Sequence, residues 1–276
     1  MKILLIIVIY NKCISTLSVL QQLRMNSAAI DIVIYDNSPT PQKVPIINGF
    51  NLIYLHDESN AGVSRAYNVG AVRAKELGND HILVLDQDTD FSLNDLSKYE
   101  TAYRKYGPDY LYAPVVCNAV MTKVYSPAFI NHFVGKAQAY ESFAFSEEYN
   151  LIGKSAINSG LMIPLVLFEK IGGFNEKLKL DFSDYYFIEK YKALNKNIIL
   201  VAVYLKHSIS GDEGKNFAQE YNRFSYFCYG ARELSSSLGV LLWWAPFRRL
   251  LRLILKYKSL KFISIYYSHF LQSNRA

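Results

Sequence analysis

The chain is poor in cysteine, glycine and proline: its 276 residues include 3 Cys, 14 Gly and 8 Pro. Cys13, Cys117 and Cys228 are odd in number and far apart. They offer neither a disulfide framework nor a zinc-ligand spacing, which fits a reducing compartment. So little Gly and Pro excludes a collagenous, low-complexity or loop-rich scaffold. Charged residues make up 20% against 51% hydrophobic, which excludes a disordered chain. No stretch reaches the ~18 apolar residues that a transmembrane helix needs. Residues 3–9 follow Lys2 as a short signal sequence would, but no small-residue cleavage site follows and Asn11-Lys12 ends the run. A buried first strand explains it better.

Acidic residues are missing altogether after Glu233. Residues 1–233 have a net charge of −1, whereas the last 43 residues carry seven basic side chains and no acid. A nucleic-acid binder spreads its basic footprint over a folded face. A basic tail on a near-neutral body points instead to an anionic membrane surface or an acidic partner, not to nucleic acid. Aromatic residues reach 14%, with 22 Tyr. They suit the flat faces of bases or sugar rings, and equally a Tyr-rich core.

Short apolar runs at residues 3–9, 31–35, 51–55 and 81–85 read as buried parallel strands. Between them Ile14, Leu17, Leu20 and Leu23, then Val63, Ala66, Tyr67, Val69, Gly70 and Ala74, have helical spacing. Such alternation predicts a doubly wound, mostly parallel α/β sheet flanked by helices, with ligands at the carboxyl ends of the strands. Polar clusters follow each strand: Tyr10-Asn11, Asp36-Asn37-Ser38, residues 56–60, and Asp86-Gln87-Asp88. Further on, Ser92-Leu93-Asn94-Asp95 looks like a helix start. Strands are expected at 110–116, 157–165 and 197–205, a helix at 181–195, and irregular, aromatic chain at 118–153, with Phe129, Phe133, Tyr140, Phe143, Phe145 and Tyr149. One continuous domain, 1–233, with a helical tail, 234–276, is the expected organisation.

Asp86-Gln87-Asp88 places two carboxylates around one residue at a strand end. They can surround a hard divalent cation, or form an ordinary acidic turn. Residues 60–70 open a helix, with Asn60 or a neighbour as its cap and Gly62 allowing close backbone approach. A helix N-terminus favours an anion such as a diphosphate, and a plain capped helix explains Asn60 and Gly62 equally well. Neither a Walker loop nor a three-glycine dinucleotide fingerprint is present.

In order along the chain stand Val8-Ile9-Tyr10-Asn11, Tyr35-Asp36-Asn37-Ser38, Asn60-Ala61-Gly62, Asn68-Val69-Gly70, Leu85-Asp86-Gln87-Asp88, Asn158-Ser159-Gly160 and Gly172-Gly173-Phe174-Asn175-Glu176. The ordered set resembles family 2 glycosyltransferases of the GT-A fold over roughly residues 3–210. The Asp-Gln-Asp form is most similar to bacterial rhamnosyltransferases. The resemblance implies donor contacts from Tyr10, Asp36, Asn60, Arg65 and Asp86, with Asp36 on a pyrimidine base and Arg65 near the sugar phosphate. For Arg65 a solvated helix face is an equal reading. It implies a divalent cation, Mg or Mn, on Asp88 and His207, and Asp184 as the base that deprotonates the acceptor. Ser183 departs from the family pattern, which carries an acid there, and so leaves Asp181 as an alternative base. Ser210-Gly211-Asp212 could be a mobile turn.

These roles describe transfer of a sugar from a nucleotide donor to a hydroxyl of a lipid-linked or surface-glycan acceptor. One base without a second nucleophilic carboxylate fits single displacement with inversion. Two rivals remain: a sugar nucleotidyltransferase, which lacks its Gly-rich phosphate loop here, and a non-enzymatic, membrane-docked nucleotide or glycan binder. In the tail Arg248, Arg249, Arg252 and Lys256 form one helical arc, and Leu250, Leu251, Ile254 and Tyr257 the other. Trp243-Trp244 precede them, and Phe262, Ile263, Tyr266 and Tyr267 follow. The pattern fits a helix in the interface of the inner face of the cell membrane, with a helix packed on the body as the alternative.

Overall fold

The structure is a computed structural model, and it describes residues 1–23, 30–44, 50–131, 136–139, 144–207, 216–239, 242 and 244–272. Phe133, Tyr140, Phe143, Ser210-Gly211-Asp212, Trp243 and Arg275 lie outside the described residues.

Strands β1 (Ile3–Ile9), β2 (Asp31–Asp36), β3 (Asn51–His56) and β4 (His81–Asp86) pair in parallel, in the order β3-β2-β1-β4. The β1–β2 crossover holds α1 (Ser18–Leu23), and α2 (Val63–Glu76) links β3 to β4. The two-residue β5 (Thr89–Asp90), α3 (Leu96–Tyr106) and β6 (Tyr112–Cys117) come next. After them lie β7 (Val124–Ser126), β8 (Ala128–Asn131), β9 (Lys136–Ala139), β10 (Glu147–Asn150) and β11 (Lys154–Ser155). Then follow β12 (Leu161–Pro164), α4 (Leu165–Ile171), α5 (Ser183–Lys192) and β13 (Asn197–His207). Strand β12 enters antiparallel between β4 and β6, and β13 runs parallel to β6, so one large mixed sheet results.

Period-two alternation explains the two cores. Leu4, Ile6 and Val8 face the layer of α2, α4 and α5, with Ala66, Tyr67, Leu167 and Phe187. Leu5, Ile7 and Ile9 face α1 and α3, with Leu20, Tyr99 and Ala102. Gly70 lets α2 approach β1 closely: a Cβ there would lie 2.4 Å from Ile6 Cδ1.

Residues 118–153, expected to be irregular, contain β7 to β10, and β8, β9 and β11 form a second, three-stranded sheet. Strands of two to four residues are too short to show alternation in a sequence. The strand expected at 157–165 is only Leu161–Pro164, because Leu165 already starts α4.

The C-terminal layer comprises α6 (Phe217–Leu238), α7 (Trp244–Tyr257) and α8 (Lys261–Ile265), continued by a wider turn at Tyr266–Leu271. Asn216 and Gln219 close a capping box at the start of α6, which then runs through Glu233. The arcs expected of α7 need correction. Leu250 and Leu253 are buried with Phe224 and Phe262, because α6 presents an aromatic surface to them. Arg249 also turns inward, 4.5 Å from the Phe227 ring and 3.7 Å from Glu220. Leu251 and Leu255 are the apolar residues left outside. Among the described residues no helix is long and apolar enough to cross a membrane.

Candidate active site

Parallel register gathers the strand ends on one rim. Ile9 pairs with Asp36, Val8 with Asp86, and Asp36 with His56. Tyr10, Asp36, His56 and Asp86 thereby become neighbours. Tyr10 is half exposed, and its N–H donates to Gln87 Oε1 at 2.8 Å.

Asp86 closes β4. Its Oδ1 accepts from the Tyr67 hydroxyl at 3.2 Å, and its Oδ2 accepts from the Ser159 hydroxyl. Asp88 reaches His207 because β5 pairs with the end of β13, setting Thr89 opposite His207. His207 Nδ1 lies 3.4 Å from Asp88 Oδ1. One ligand atom from each of Asp86, Asp88 and His207 falls within 4.8 Å of the others. Burial pushes the Asp88 carboxyl above its ordinary range; His207 opposes this and Asp86 adds to it. No Lys or Arg among the described residues lies within salt-bridge distance of Asp86 or Asp88. Two hard oxygens and an imidazole, with the charge of Lys12 acting on Asp88 only from beyond salt-bridge distance, fit a divalent cation such as Mg or Mn.

Asp184 stands in the first turn of α5, half-buried, with Oδ1 accepting the Tyr185 N–H at 2.7 Å. Burial pushes its pKa up to about 6; the Tyr185 N–H pulls it down, and the charges of Asp86 and Asp181 raise it further. A carboxylate titrating near neutrality is suited to proton abstraction. Asp181 is held instead by Arg223 at 3.3 Å. Ser183, where the family pattern carries an acid, is buried with its hydroxyl 2.7 Å from that of Ser64, which donates to Leu178 O at 2.6 Å.

Asp36 is fully buried. Its oxygens accept from the Ser38 N–H at 2.9 Å, Gln42 Nε2 at 3.1 Å and the Tyr54 hydroxyl at 2.8 Å. Burial works to raise its pKa, but these bonds outweigh it and hold the carboxyl below its usual range.

The start of α2 takes the form of a capped helix end whose first N–H is used within the chain. The cap is Gly62 rather than Asn60, with no side-chain bond, and the Val63 N–H donates to Lys179 O at 2.8 Å. Gly62 has φ +96°, and a Cβ there would lie 2.2 Å from Lys179 O. The close approach it allows is to the chain itself. Asn60, at φ +47°, lies in the preceding turn with its N–H on Asp57 O at 3.1 Å. Arg65 pairs with Glu176 at 3.2 Å on the exposed side of α2. Asn68 secures the Gly-Gly-Phe loop: its Nδ2 donates to Phe174 O, and its Oδ1 accepts from Phe174 N, both at 2.9 Å.

Tyr67 and Ser159, which fix Asp86 from opposite sides, were not expected as site residues. Tyr67 reads as core from its helical spacing, and it is indeed fully buried. Ser159 lay inside the motif Asn158-Ser159-Gly160, where its position in the ordered set was the available signal.

The family model described as Glycosyl transferase family 2 matches residues 5–161. The crystal structure of S. aureus TarS matches with a TM-score of 0.57 at 14% identity, covering 96% of this chain and 54% of that one. GalNAc-T7, solved with UDP, GalNAc and Mn2+, matches with a TM-score of 0.55 at 14% identity, covering 97% and 56%. S. aureus TarS 1-349 in complex with UDP-GlcNAc matches with a TM-score of 0.53 at 15% identity, covering 98% and 74%. This chain thus spans about half of the first two structures. Comparison with curated proteins gives no match. The large mixed sheet with helices on both faces is the GT-A arrangement, and the family match covers more than half of the sequence. The chain belongs to the family 2 glycosyltransferases.

Proposed function

We propose that this glycosyltransferase is inverting and metal-dependent, and that it moves a sugar from a nucleoside-diphosphate donor to a hydroxyl of a lipid-linked or surface-glycan acceptor at the inner face of the cell membrane. The observation that carries this reading is the acidic rim: Asp86, Asp88 and His207 within 4.8 Å, with Asp184 beside them and influenced by Asp86. Catalysis resides in residues 1–233, and residues 234–276 serve for anchoring.

Asp88 and His207 would hold the divalent cation. That cation would supply charge stabilisation to the departing diphosphate. Asp86, oriented by Tyr67 and Ser159, faces the donor's ribose or sugar. Tyr10 and Asn60 border the nucleotide. Asp36 meets the base, which requires Gln42 or Tyr54 to give way, since both now bond to it. Arg65 must leave Glu176 to reach a phosphate. Asp184 accepts the proton of the acceptor hydroxyl as that oxygen attacks the anomeric carbon. The bond to the diphosphate breaks on the opposite face, so the anomeric centre inverts. Asp181 is the poorer candidate, because its carboxylate is engaged by Arg223 at 3.3 Å.

Deoxythymidine-diphosphate rhamnose is the first donor to try, on the Asp86-Gln87-Asp88 form. Uridine-diphosphate sugars come second, since the matched TarS and GalNAc-T7 structures hold UDP or UDP-GlcNAc. The test offers a panel of nucleotide sugars with Mn²⁺ or Mg²⁺ and scores slow donor hydrolysis. Asp88→Ala should abolish turnover and weaken nucleotide binding in Mn²⁺. Full activity in chelator, or in the variant, refutes the metal role. No turnover with any donor favours a non-enzymatic binder, and release of pyrophosphate favours a nucleotidyltransferase.

A further inference from the structure

Two stripes of exposed apolar side chains run along the C-terminal layer, one residue per helical turn. Leu251 and Leu255 form the first, on α7; Ile263, Tyr267 and Leu271 form the second, on α8 and its continuation. Leu260, in the connection between them, is 69% exposed, and Leu255 is 79% exposed. These residues are surplus to the core. The inward face of the same helices is already filled by Leu250, Leu253, Phe262 and Ile265.

Exposed cations interleave with the stripes. Arg248, Arg252, Lys258 and Lys261 are all exposed, and none has a carboxylate within salt-bridge distance among the described residues. The inward cation behaves otherwise: Arg249 lies 3.7 Å from Glu220. Lys256, at the margin, is 3.5 Å from the same carboxylate. The layer therefore neutralises charge on its inner side and leaves it open on its outer side. No acid occurs in the sequence after Glu233.

We propose that this outer face, and not the arc containing Leu250, docks on an anionic lipid bilayer. Leu251, Leu255, Leu260, Ile263 and Tyr267 enter the interface, and Arg248, Arg252, Lys258 and Lys261 meet the headgroups. An apolar stripe bordered by unpaired cations matches the two layers of such a surface, acyl chains beneath and negative charge above. A second copy of the chain is a poorer occupant, because a self-complementary contact would bring these cations against each other. The inference deepens the reading of a membrane-side transferase and rests on it for its purpose. The geometry of the face is independent of the catalytic rim.

The test is co-sedimentation of the full chain with vesicles of phosphatidylcholine containing phosphatidylglycerol, against phosphatidylcholine alone. Each surface cation contributes roughly fivefold to partitioning. Arg248→Gln, Arg252→Gln and Lys258→Gln together should lower binding to anionic vesicles by roughly 10²-fold, with most of the salt dependence lost. Leu255→Ser with Leu260→Ser should keep the salt dependence and remove the binding that persists at high salt. Donor hydrolysis without vesicles should be unchanged in both variants, which separates failure of docking from failure of the transferase reading. Equal binding to neutral vesicles overturns the proposal, as does binding unaffected by either variant. So does a wild-type chain eluting at twice its mass that the leucine variant turns into a monomer.

Discussion

At the sheet rim Asp86, Asp88 and Asp184 sit together without a Lys or Arg in salt-bridge reach among the described residues. Behind them, at α6 and α7, the inward charges are matched: Asp181 with Arg223, and Glu220 with Arg249 and Lys256. Both regions are partly buried, so the difference lies in what burial is made to do. Burial raises Asp88 against the charges of His207 and Lys12, and it pushes Asp184 up to about 6. Such strain at a rim is a store of affinity for a cation or a proton. Matched burial in the helical layer fixes helices to one another and to the loop before α5, although burial still pushes the Arg249 guanidinium down against the charges of Asp181 and Glu220. The two regions should therefore answer the loss of a charge with opposite signs.

Asp184→Asn gives the largest effect and the first break point. If Asp184 is the base, transfer should fall by ~10²–10⁴ while donor affinity holds. The wild-type rate should climb with pH and level off above about 6, where the carboxylate is free to accept a proton. Stability should move the other way. The folded state holds this proton more tightly than the unfolded chain, so its stability declines as pH rises towards about 6. The variant should then be more stable at pH 7, by about 1–3 kcal/mol. Denaturant melts at pH 5 and 7 check this. A variant less stable than wild type would make Asp184 a helix-start contact. A crippled Asp181→Asn with an active Asp184→Asn would move the base.

The parallel part of the fold was legible in the sequence because β1, β2 and β4 are continuous apolar runs ended by polar residues, whereas β3, expected to be buried, lies at the sheet edge and is only partly buried. The edges of β1 to β4 differ from the expected ones by at most one residue. His207 beside Asp88 followed from the resemblance and not from any spacing, since the contact depends on β5 pairing with β13 across the sheet. Tyr67 could not be singled out, because a buried helix residue and a carboxylate ligand share one sequence signature. The start of α2 stayed open for a related reason: a plain capped helix and an anion site share one sequence signature, and only the structure shows the Val63 N–H on Lys179 O. The tail misled because a helical wheel gives two arcs and no indication of which one the body will cover.

Arg223→Ala tests the matched region. Asp181 would remain mostly buried, with Oδ2 already lacking a hydrogen bond among the described residues. The expected loss is about 1–3 kcal/mol, since the buried carboxylate loses its ion pair and keeps only the more distant charge of Arg249. Asp181→Asn in the same chain should recover part of it, and urea melts of the two single variants and the double variant measure the coupling. A stabilised Arg223→Ala would mean that this layer strains its charges as the rim does, and the contrast would fall.

The smallest expected effect draws the contrast within a single helix. Leu253 and Leu255 are two residues apart on α7, one fully buried and the other almost wholly exposed. Leu253→Ala should cost about 2–5 kcal/mol, because it opens a cavity against Phe224 and Phe262. Leu255→Ser, and Arg252→Gln beside it, should each change stability by less than ~0.5 kcal/mol, as surface substitutions do. Thermal melts in the absence of lipid decide it. The outer residues then contribute nothing to the fold that would account for the six exposed hydrophobic side chains of the two stripes and the connection between them. If Leu255→Ser costs as much as Leu253→Ala, the outer stripe packs within the folded chain, and it has no surface left to offer a bilayer.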